Sequence, residues 1–307
     1  MTDTSWIERL AVPVVAAPMF LVSGPDLVVA ASRAGAVGSF PAPNCRTLDE
    51  LDAWMGRIDD ELDEEPWALN LVTHRTNARL EDDLRLVAQH RPPIVITALG
   101  SPRPVMETVR GYGGIVIADV VTLALARKAI DAGVDGLACV SAGAGGHTGF
   151  LSPFAFVSAV RREFDGLVTI GGGISDGHGV AGAIAAGADL VYMGTRFLAT
   201  QESLAVPEYK QMVVDHGVDD LVVSDGVTGT PASWLRPSLV ANGLDPDRLV
   251  GPAERSYDAT QSPAKRWKDV WAAGQGLGAV TAVEPAAAVV ERLAAEYGQA
   301  LDRLRSL

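Results

Sequence analysis

Two glycine-rich turns within residues 166–199 have the composition of phosphate-binding loops. The short apolar run Leu167–Ile170 ends in Gly171–Gly173, and Asp176 or Ser175 can then cap the helix that follows. A second run, Ala188–Met193, ends in Gly194–Thr195. Glycine at the end of a strand lets the backbone approach an anion, so amide groups and a helix N-terminus can hold a phosphate without a lysine. We therefore predict one phosphate site built from two successive loops.

The loop over residues 141–149 carries a single ionisable side chain, His147, among small residues. A histidine can take a proton near neutral pH, and the surrounding glycines let the backbone and a flat cofactor come close together. Two interpretations follow: His147 is a catalytic base, or it is a neutral histidine that only hydrogen-bonds its own loop. The pattern favours the base.

Eight short apolar runs alternate with helical segments before residue 199. The predicted strands are Val12–Met19, Gly35–Ser39, Trp67–Val72, Ile94–Leu99, Ile115–Val120, Leu137–Ser141, Leu167–Ile170 and Ala188–Met193. Such alternation favours a parallel barrel over an open, doubly wound sheet. We predict an α/β fold, a (β/α)8 TIM barrel over residues 1–200, in which catalytic groups and a phosphate site lie at the C-terminal ends of the strands.

The alternation stops after Leu198. Residues 201–278 are predicted to form a smaller, mainly helical appendage near the C-terminus that lies over the barrel mouth. Trp234, Trp267 and Trp271 either line a pocket there or pack its interior. Residues 279–307 contain an amphipathic helix that can pack back on the barrel or on a second subunit, which is compatible with a homodimer.

Composition excludes several classes of protein. The 307 residues carry a formal net charge of −13, which disfavours nucleic acid and anionic membranes as partners. No apolar run is long enough to span a membrane, and the N-terminus has no secretion signal, so we expect a cytoplasmic protein. The two cysteines, Cys45 and Cys139, are too few and too far apart for a metal cluster, and we predict no metal site.

The motifs resemble the FMN-dependent nitronate monooxygenases, formerly called 2-nitropropane dioxygenases, and their flavin reductase relatives. The resemblance rests on Ala17-Pro18-Met19, Asn70, Gly-Gly-His-Thr-Gly at 145–149, Gly171–Gly173, Met193-Gly194-Thr195-Arg196-Phe197 and Ala-Gly-Gln-Gly at 273–276. It implies that FMN contacts Ala17, Pro18, Met19, Asn70, Ala142, Gly145, Gly171, Gly172, Gly173, Gly194, Thr195, Gln275 and Gly276, with His147 as the catalytic base. The chain departs from many relatives, which have glutamine at Ala16 or Ala17, and its fifth strand offers Asp119 with no lysine nearby.

The resemblance implies that His147 takes the α-proton of a nitroalkane, or holds the nitronate anion, and that dioxygen reoxidises the reduced flavin. A second interpretation is an NAD(P)H-dependent reductase of quinones or of enoyl or acyl thioesters. A third is a flavin-binding protein without catalysis. FMN is expected rather than FAD because the chain offers one phosphate site and has no dinucleotide fingerprint after a first strand.

Overall fold

The computed structural model describes residues 5–250 and 268–306. Its strands are β1 Val14–Ala16, β2 Gly38–Pro41, β3 Trp67–Val72, β4 Ile94–Ala98, β5 Ile115–Val120, β6 Gly136–Val140, β7 Gly146–His147, β8 Leu167–Gly171, β9 Leu190–Met193, β10 Leu221–Ser224 and β11 Ala232–Leu235. Its α-helices are α1 Pro25–Arg33, α2 Leu48–Glu61, α3 Leu80–His90, α4 Arg103–Gly111, α5 Leu123–Asp131, α6 Pro153–Arg161, α7 Gly177–Ala185, α8 Thr195–Leu198, α9 Pro207–Asp215, α10 Arg236–Ala241 and α11 Ala286–Arg305.

Eight parallel strands form the barrel, in the order β1-β9-β8-β6-β5-β4-β3-β2. The gap between β1 and β2 is bridged at Val15 and Val37, where Ala16 N donates to Val37 O at 2.8 Å and Val37 N donates to Val14 O at 2.9 Å. The predicted (β/α)8 barrel is therefore confirmed.

The predicted limits of the first two strands are wrong by a few residues. Gly35, placed in the second strand by its apolar neighbours, instead turns the chain after α1 with φ +92°, a conformation that favours glycine. The strand begins only at Gly38 and continues to Pro41. The first strand is shorter than its apolar run, because Pro13 and Pro18 flank it and cannot donate to a ladder.

Two apolar layers hold the barrel together. One layer fills the interior with alternate strand residues such as Ile96, Ile117 and Leu190, and Trp6, Ile7 and Leu10 of the N-terminal segment pack against it. The other lies between the strands and the helices. The final helix α11 joins this second layer through Val289, Val290 and Leu293, and it packs on α1 and α7.

The appendage contains an antiparallel sheet that the sequence did not predict. Its strand order is β10-β11-β7, and the register pairs Ala232 with His147. The sheet was missed because β7 has only two residues, in a glycine-rich loop without alternation. Of the three tryptophans, Trp234 is fully buried and Trp271 stacks on Tyr209 with a 5.0 Å centroid separation, whereas Trp267 lies outside the described residues.

Phe40→Ala is expected to lower the free energy of unfolding by about 3–5 kcal/mol, because it empties a fully buried site in the layer between strands and helices. The Phe40 ring lies 5.6 Å from Trp54 and 6.2 Å from Trp67, centroid to centroid, so its neighbours cannot easily collapse into the space. Denaturant unfolding measures the loss. Phe150→Ala, at a ring that is 80% exposed, is the control and should change stability little.

Candidate active site

The loops after β6 and β8 meet the C-terminal segment at one carbonyl group. Gly143 O accepts from Gly173 N at 3.2 Å and from Gln275 N at 2.8 Å. Gly143 has φ +89°, and a Cβ added there would lie 2.7 Å from Gln275 Oε1. This close packing of backbone brings together three parts of the chain that are far apart in sequence.

The turn after β8 requires glycine. Gly172 has φ +138°, and a Cβ added there would lie 2.4 Å from Ser141 Oγ and 2.5 Å from Ala142 O. Gly171 O accepts from Ser141 N at 2.8 Å and from Ser141 Oγ at 2.5 Å, which fixes the turn against the loop after β6. Gly173, with φ +70°, completes the turn. Of the three glycines only Gly173 is exposed.

The loop after β9 faces the end of β1. A Cβ added at Gly194 would lie 3.4 Å from Met19 Sδ and 3.9 Å from Ala17 Cβ, so these residues, with Pro18 between them, surround one point of the mouth. Thr195 Oγ1 accepts a hydrogen bond from Gly274 N at 2.9 Å. Gly194 also precedes the short helix α8.

The N-terminus of α7 is already occupied by protein carboxylates. Asp176 caps the helix and accepts from Gly179 N at 2.6 Å, and Glu296 of α11 accepts from Gly177 N at 2.8 Å. The sequence left Ser175 and Asp176 open as the cap, and the structure assigns Asp176. Two carboxylates at this end would repel a phosphate, so the N-terminus of α7 is not available to hold one.

The C-terminal segment closes the mouth. Gln275 begins the 3-10 helix Gln275–Ala279, and a Cβ added at Gly276 would lie 3.0 Å from Ser175 Cβ. The segment is anchored by Arg196, which is 5% exposed and donates to Ala279 O at 2.5 Å while pairing with Glu284 at 3.7 Å. This arginine serves as an anchor of the segment and already has its anionic partner.

His147 is held at the mouth by the appendage sheet. It lies in β7 opposite Ala232 of β11, and the next residue donates from its backbone, Thr148 N to Pro231 O at 3.1 Å. Burial lowers the pKa of the His147 imidazole from its ordinary value of 6.5. The ring is therefore neutral at physiological pH, which is the form that accepts a proton.

Polar side chains face the barrel interior just below the mouth. Asn70 is buried and donates from Nδ2 to Ile96 O at 3.3 Å. Asp119, Thr169 and Tyr192 follow the interior-facing residues Ile117, Leu167 and Leu190 at the spacing of two that keeps a side chain on the same face. Within the described part of the chain, Asp119 Oδ1, Thr169 Oγ1 and Tyr192 Oη have no hydrogen-bond partner.

These polar atoms were only partly foreseen. Asp119 was noted from its place at the end of the fifth strand, whereas Tyr192 was missed because it lies within an apolar run. Strand alternation could have predicted its direction, because Tyr192 lies two residues after Leu190 and therefore points to the same, interior face.

The mouth fits a mononucleotide flavin. It offers glycine backbone where an anion needs close approach, an apolar wall of Ala17 and Met19, and interior polar atoms that lack partners. In the described ranges, no helix could cross a membrane, and no group of three or more histidine, cysteine or acidic residues is arranged to hold a metal ion.

Comparisons with known proteins agree with this geometry. The family model described as nitronate monooxygenase matches residues 76–296. A Rhodococcus jostii protein named (3aS,4S,5R,7aS)-5-hydroxy-7a-methyl-1-oxo-octahydro-1H-indene-4-carboxyl-CoA dehydrogenase is 32% identical over 233 residues, which cover 76% of this chain and 65% of the relative. The chain thus spans slightly less than two thirds of that relative.

Two solved structures share the fold over nearly the whole chain. A nitroalkane oxidase from Streptomyces ansochromogenes is 25% identical, with a TM-score of 0.83, over 98% of this chain and 100% of its own. FabK from Thermotoga maritima is 26% identical, with a TM-score of 0.80, over 99% of this chain and 97% of its own.

Proposed function

Because the chain belongs to the nitronate monooxygenase family, a family of oxidoreductases, we propose that it is an FMN-dependent enzyme that oxidises alkyl nitronates and nitroalkanes with dioxygen. The observation that carries the proposal is His147, a neutral imidazole fixed by β11 at the mouth of a glycine-lined barrel. The nitroalkane oxidase of the same fold supports the substrate class.

The residues that would hold FMN fall into two groups. The turns at Gly171–Gly173 and Gly194–Thr195 would hold the phosphate through backbone amides. The ring system would lie against Ala17, Pro18, Met19, Asn70, Ala142, Gly145, Gln275 and Gly276. When bound, FMN supplies the redox chemistry and the reaction with dioxygen, while the protein supplies placement and electrostatics.

His147 would act on the substrate itself. Its neutral ring takes the proton from the carbon next to the nitro group, the C–H electron pair moves into the nitro group, and the products are a nitronate anion and an imidazolium. The imidazolium then pairs with the anion, which offsets the cost of a charge in this desolvated place. With a nitronate as substrate, no proton has to leave, and a protonated ring would serve only to attract the anion.

A second candidate is an NAD(P)H-dependent reductase of enoyl or acyl thioesters. It is favoured by the 32% identity to a dehydrogenase named for a carboxyl-CoA substrate and by the likeness to the enoyl reductase FabK. The same base beside the same cofactor suits a carbonyl compound, whose α-proton is also acidic.

Anaerobic reduction of the bound flavin distinguishes the two candidates. Propionate-3-nitronate is expected to bleach the flavin absorbance on the time scale of a single turnover, whereas NADH and NADPH should leave the flavin oxidised. Bleaching by a pyridine nucleotide alone, followed by reoxidation with an enoyl thioester, would instead establish the reductase. A protein that binds FMN and is reduced by none of the three would be a binding protein.

A further inference from the structure

We propose that Asp119 is a protonated hydrogen-bond donor to the ring system of the bound flavin, with Tyr192 as its positioning residue. The inference rests on the flavin of the proposed function but does not depend on which substrate is oxidised.

Asp119 faces the interior of the barrel. It is the last interior-facing residue of β5, and its backbone is paired with Ala138 of β6. Oδ1 is buried, yet the residue as a whole is only partly buried. Asp119 is the fifth of the six residues of β5, so it lies near the C-terminal end of that parallel strand, the end of the barrel at which the loops after β8 and β9 begin. A ligand in the mouth would therefore lie close to this carboxyl.

The groups around Asp119 favour the protonated form of its carboxyl. The titratable groups that act electrostatically on Asp119 within the described residues are Tyr192 on β9 and Cys139 on β6. Burial raises the pKa of the Cys139 thiol to about 12 and that of the Tyr192 phenol well above 10, so both carry their protons at neutral pH. Asp119 thus has no cation to pair with, and burial raises the pKa of its carboxyl to about 7. A carboxyl in this environment is a donor in slightly acidic solution.

Asp119 and Tyr192 leave hydrogen bonds unmet. The Tyr192 hydroxyl interacts with the Asp119 carboxyl and lowers its pKa, and by hydrogen-bond geometry Asp119 Oδ1 and Tyr192 Oη have no partner in the described structure. Buried polar atoms without partners are uncommon and point to a missing ligand group. The turns proposed to hold the phosphate follow β8 and β9, so a bound flavin would have to reach from there towards β5 for its ring to contact Asp119. The polar edge of that ring would then supply an acceptor for the proton of the carboxyl.

The test measures binding of riboflavin and of FMN to the apoprotein by flavin fluorescence, from about pH 5.5 to about pH 8.5, a range that spans the titration of Asp119. Riboflavin carries the ring without the phosphate, so it isolates the ring contact. For the wild-type protein the affinity for riboflavin should be constant at low pH and fall by up to roughly tenfold per pH unit above about pH 7, since binding then requires uptake of a proton. The phosphate of FMN itself titrates at about pH 6, so the FMN profile should show the same fall only above that range.

Two variants complete the test. Asp119→Asn keeps a donor that does not titrate, so its affinity should stay at the low-pH value throughout. Tyr192→Phe removes a hydroxyl that lowers the pKa of Asp119, and the midpoint of the pH dependence should move to higher pH. A purely structural tyrosine would leave that midpoint unchanged.

A wild-type pH profile identical to that of Asp119→Asn would overturn the proposal, as would a failure of the apoprotein to bind either flavin. If the profile behaves as expected while the flavin is reduced by NAD(P)H rather than by a nitronate, only the proposed function fails.

Discussion

Replacing His147 by asparagine is expected to lower the rate with a neutral nitroalkane by about 10²–10⁴-fold, the range for loss of a general base. Asparagine keeps much of the size of the side chain and one hydrogen bond, and the β7–β11 pairing uses the backbone, so the loop should keep its position. Because asparagine cannot take a proton near neutral pH, the C–H bond of the substrate has no base. Steady-state oxygen uptake with excess nitroalkane measures the effect.

The nitronate form of the same substrate provides the internal comparison. Its proton has already left, so the His147→Asn variant should lose much less activity with it. Flavin content should equal that of the wild-type protein, because the predicted phosphate contacts come from other loops. His178→Asn, at an exposed histidine on α7, is the matched control and should behave as wild type. Equal losses on both substrate forms would indicate an imidazolium that binds the anion, and full activity on the nitroalkane would refute the base.

The pH profile gives an independent check of the same role. Burial lowers the pKa of His147, so the base form persists below the pH at which an ordinary histidine becomes protonated. With a neutral nitroalkane, activity should therefore remain constant through pH 6.5, the ordinary pKa of histidine, and decline only in more acidic solution. A decline centred above that value would show that the titrating group is another residue.

The barrel was predictable because its signals are local. The third and fifth strands, Trp67–Val72 and Ile115–Val120, have the predicted limits, since each is a run with a single polar residue in which all but one residue are buried. Asp176 caps α7, as one of the two residues proposed for that role. Such features depend on residues within a few positions of each other.

What the sequence could not predict depends on contacts between distant segments. The pairing of His147 with Ala232 joins a glycine loop to a strand of the appendage, and neither partner has a distinctive pattern. The occupation of the α7 N-terminus by Glu296 comes from the last helix. Both matter for the proposed chemistry: the first fixes His147, the proposed base, and the second leaves the loop backbone as the proposed phosphate site.

Gly172 and Gly194 looked equivalent in sequence, but their contacts with distant segments differ. At Gly172 a side chain would collide with Ser141 and Ala142 even without a ligand, and φ +138° would strain it. At Gly194 the backbone has φ −96°, and an added Cβ would make only ordinary contact with Met19 Sδ at 3.4 Å. A substitution at Gly194 can therefore exclude a ligand without disturbing the protein.

Gly194→Val is accordingly expected to weaken FMN binding by roughly 10–100-fold, the equivalent of losing one or more hydrogen bonds to a charged phosphate, while the melting temperature of the apoprotein stays near that of wild type. Gly172→Val should lower both the affinity for FMN and the melting temperature of the apoprotein, because it deforms the turn itself. Gly217→Val is the matched control, since nothing lies within 4 Å of a Cβ at that position and φ is −117°.

Fluorescence titration with FMN and with riboflavin then tests whether the lost contact is to the phosphate. Riboflavin has no phosphate, so Gly194→Val should bind it almost as well as wild type does. Equal loss of affinity for the two flavins would mean that the loop after β9 contacts the ring, and the phosphate would have to be placed elsewhere in the mouth.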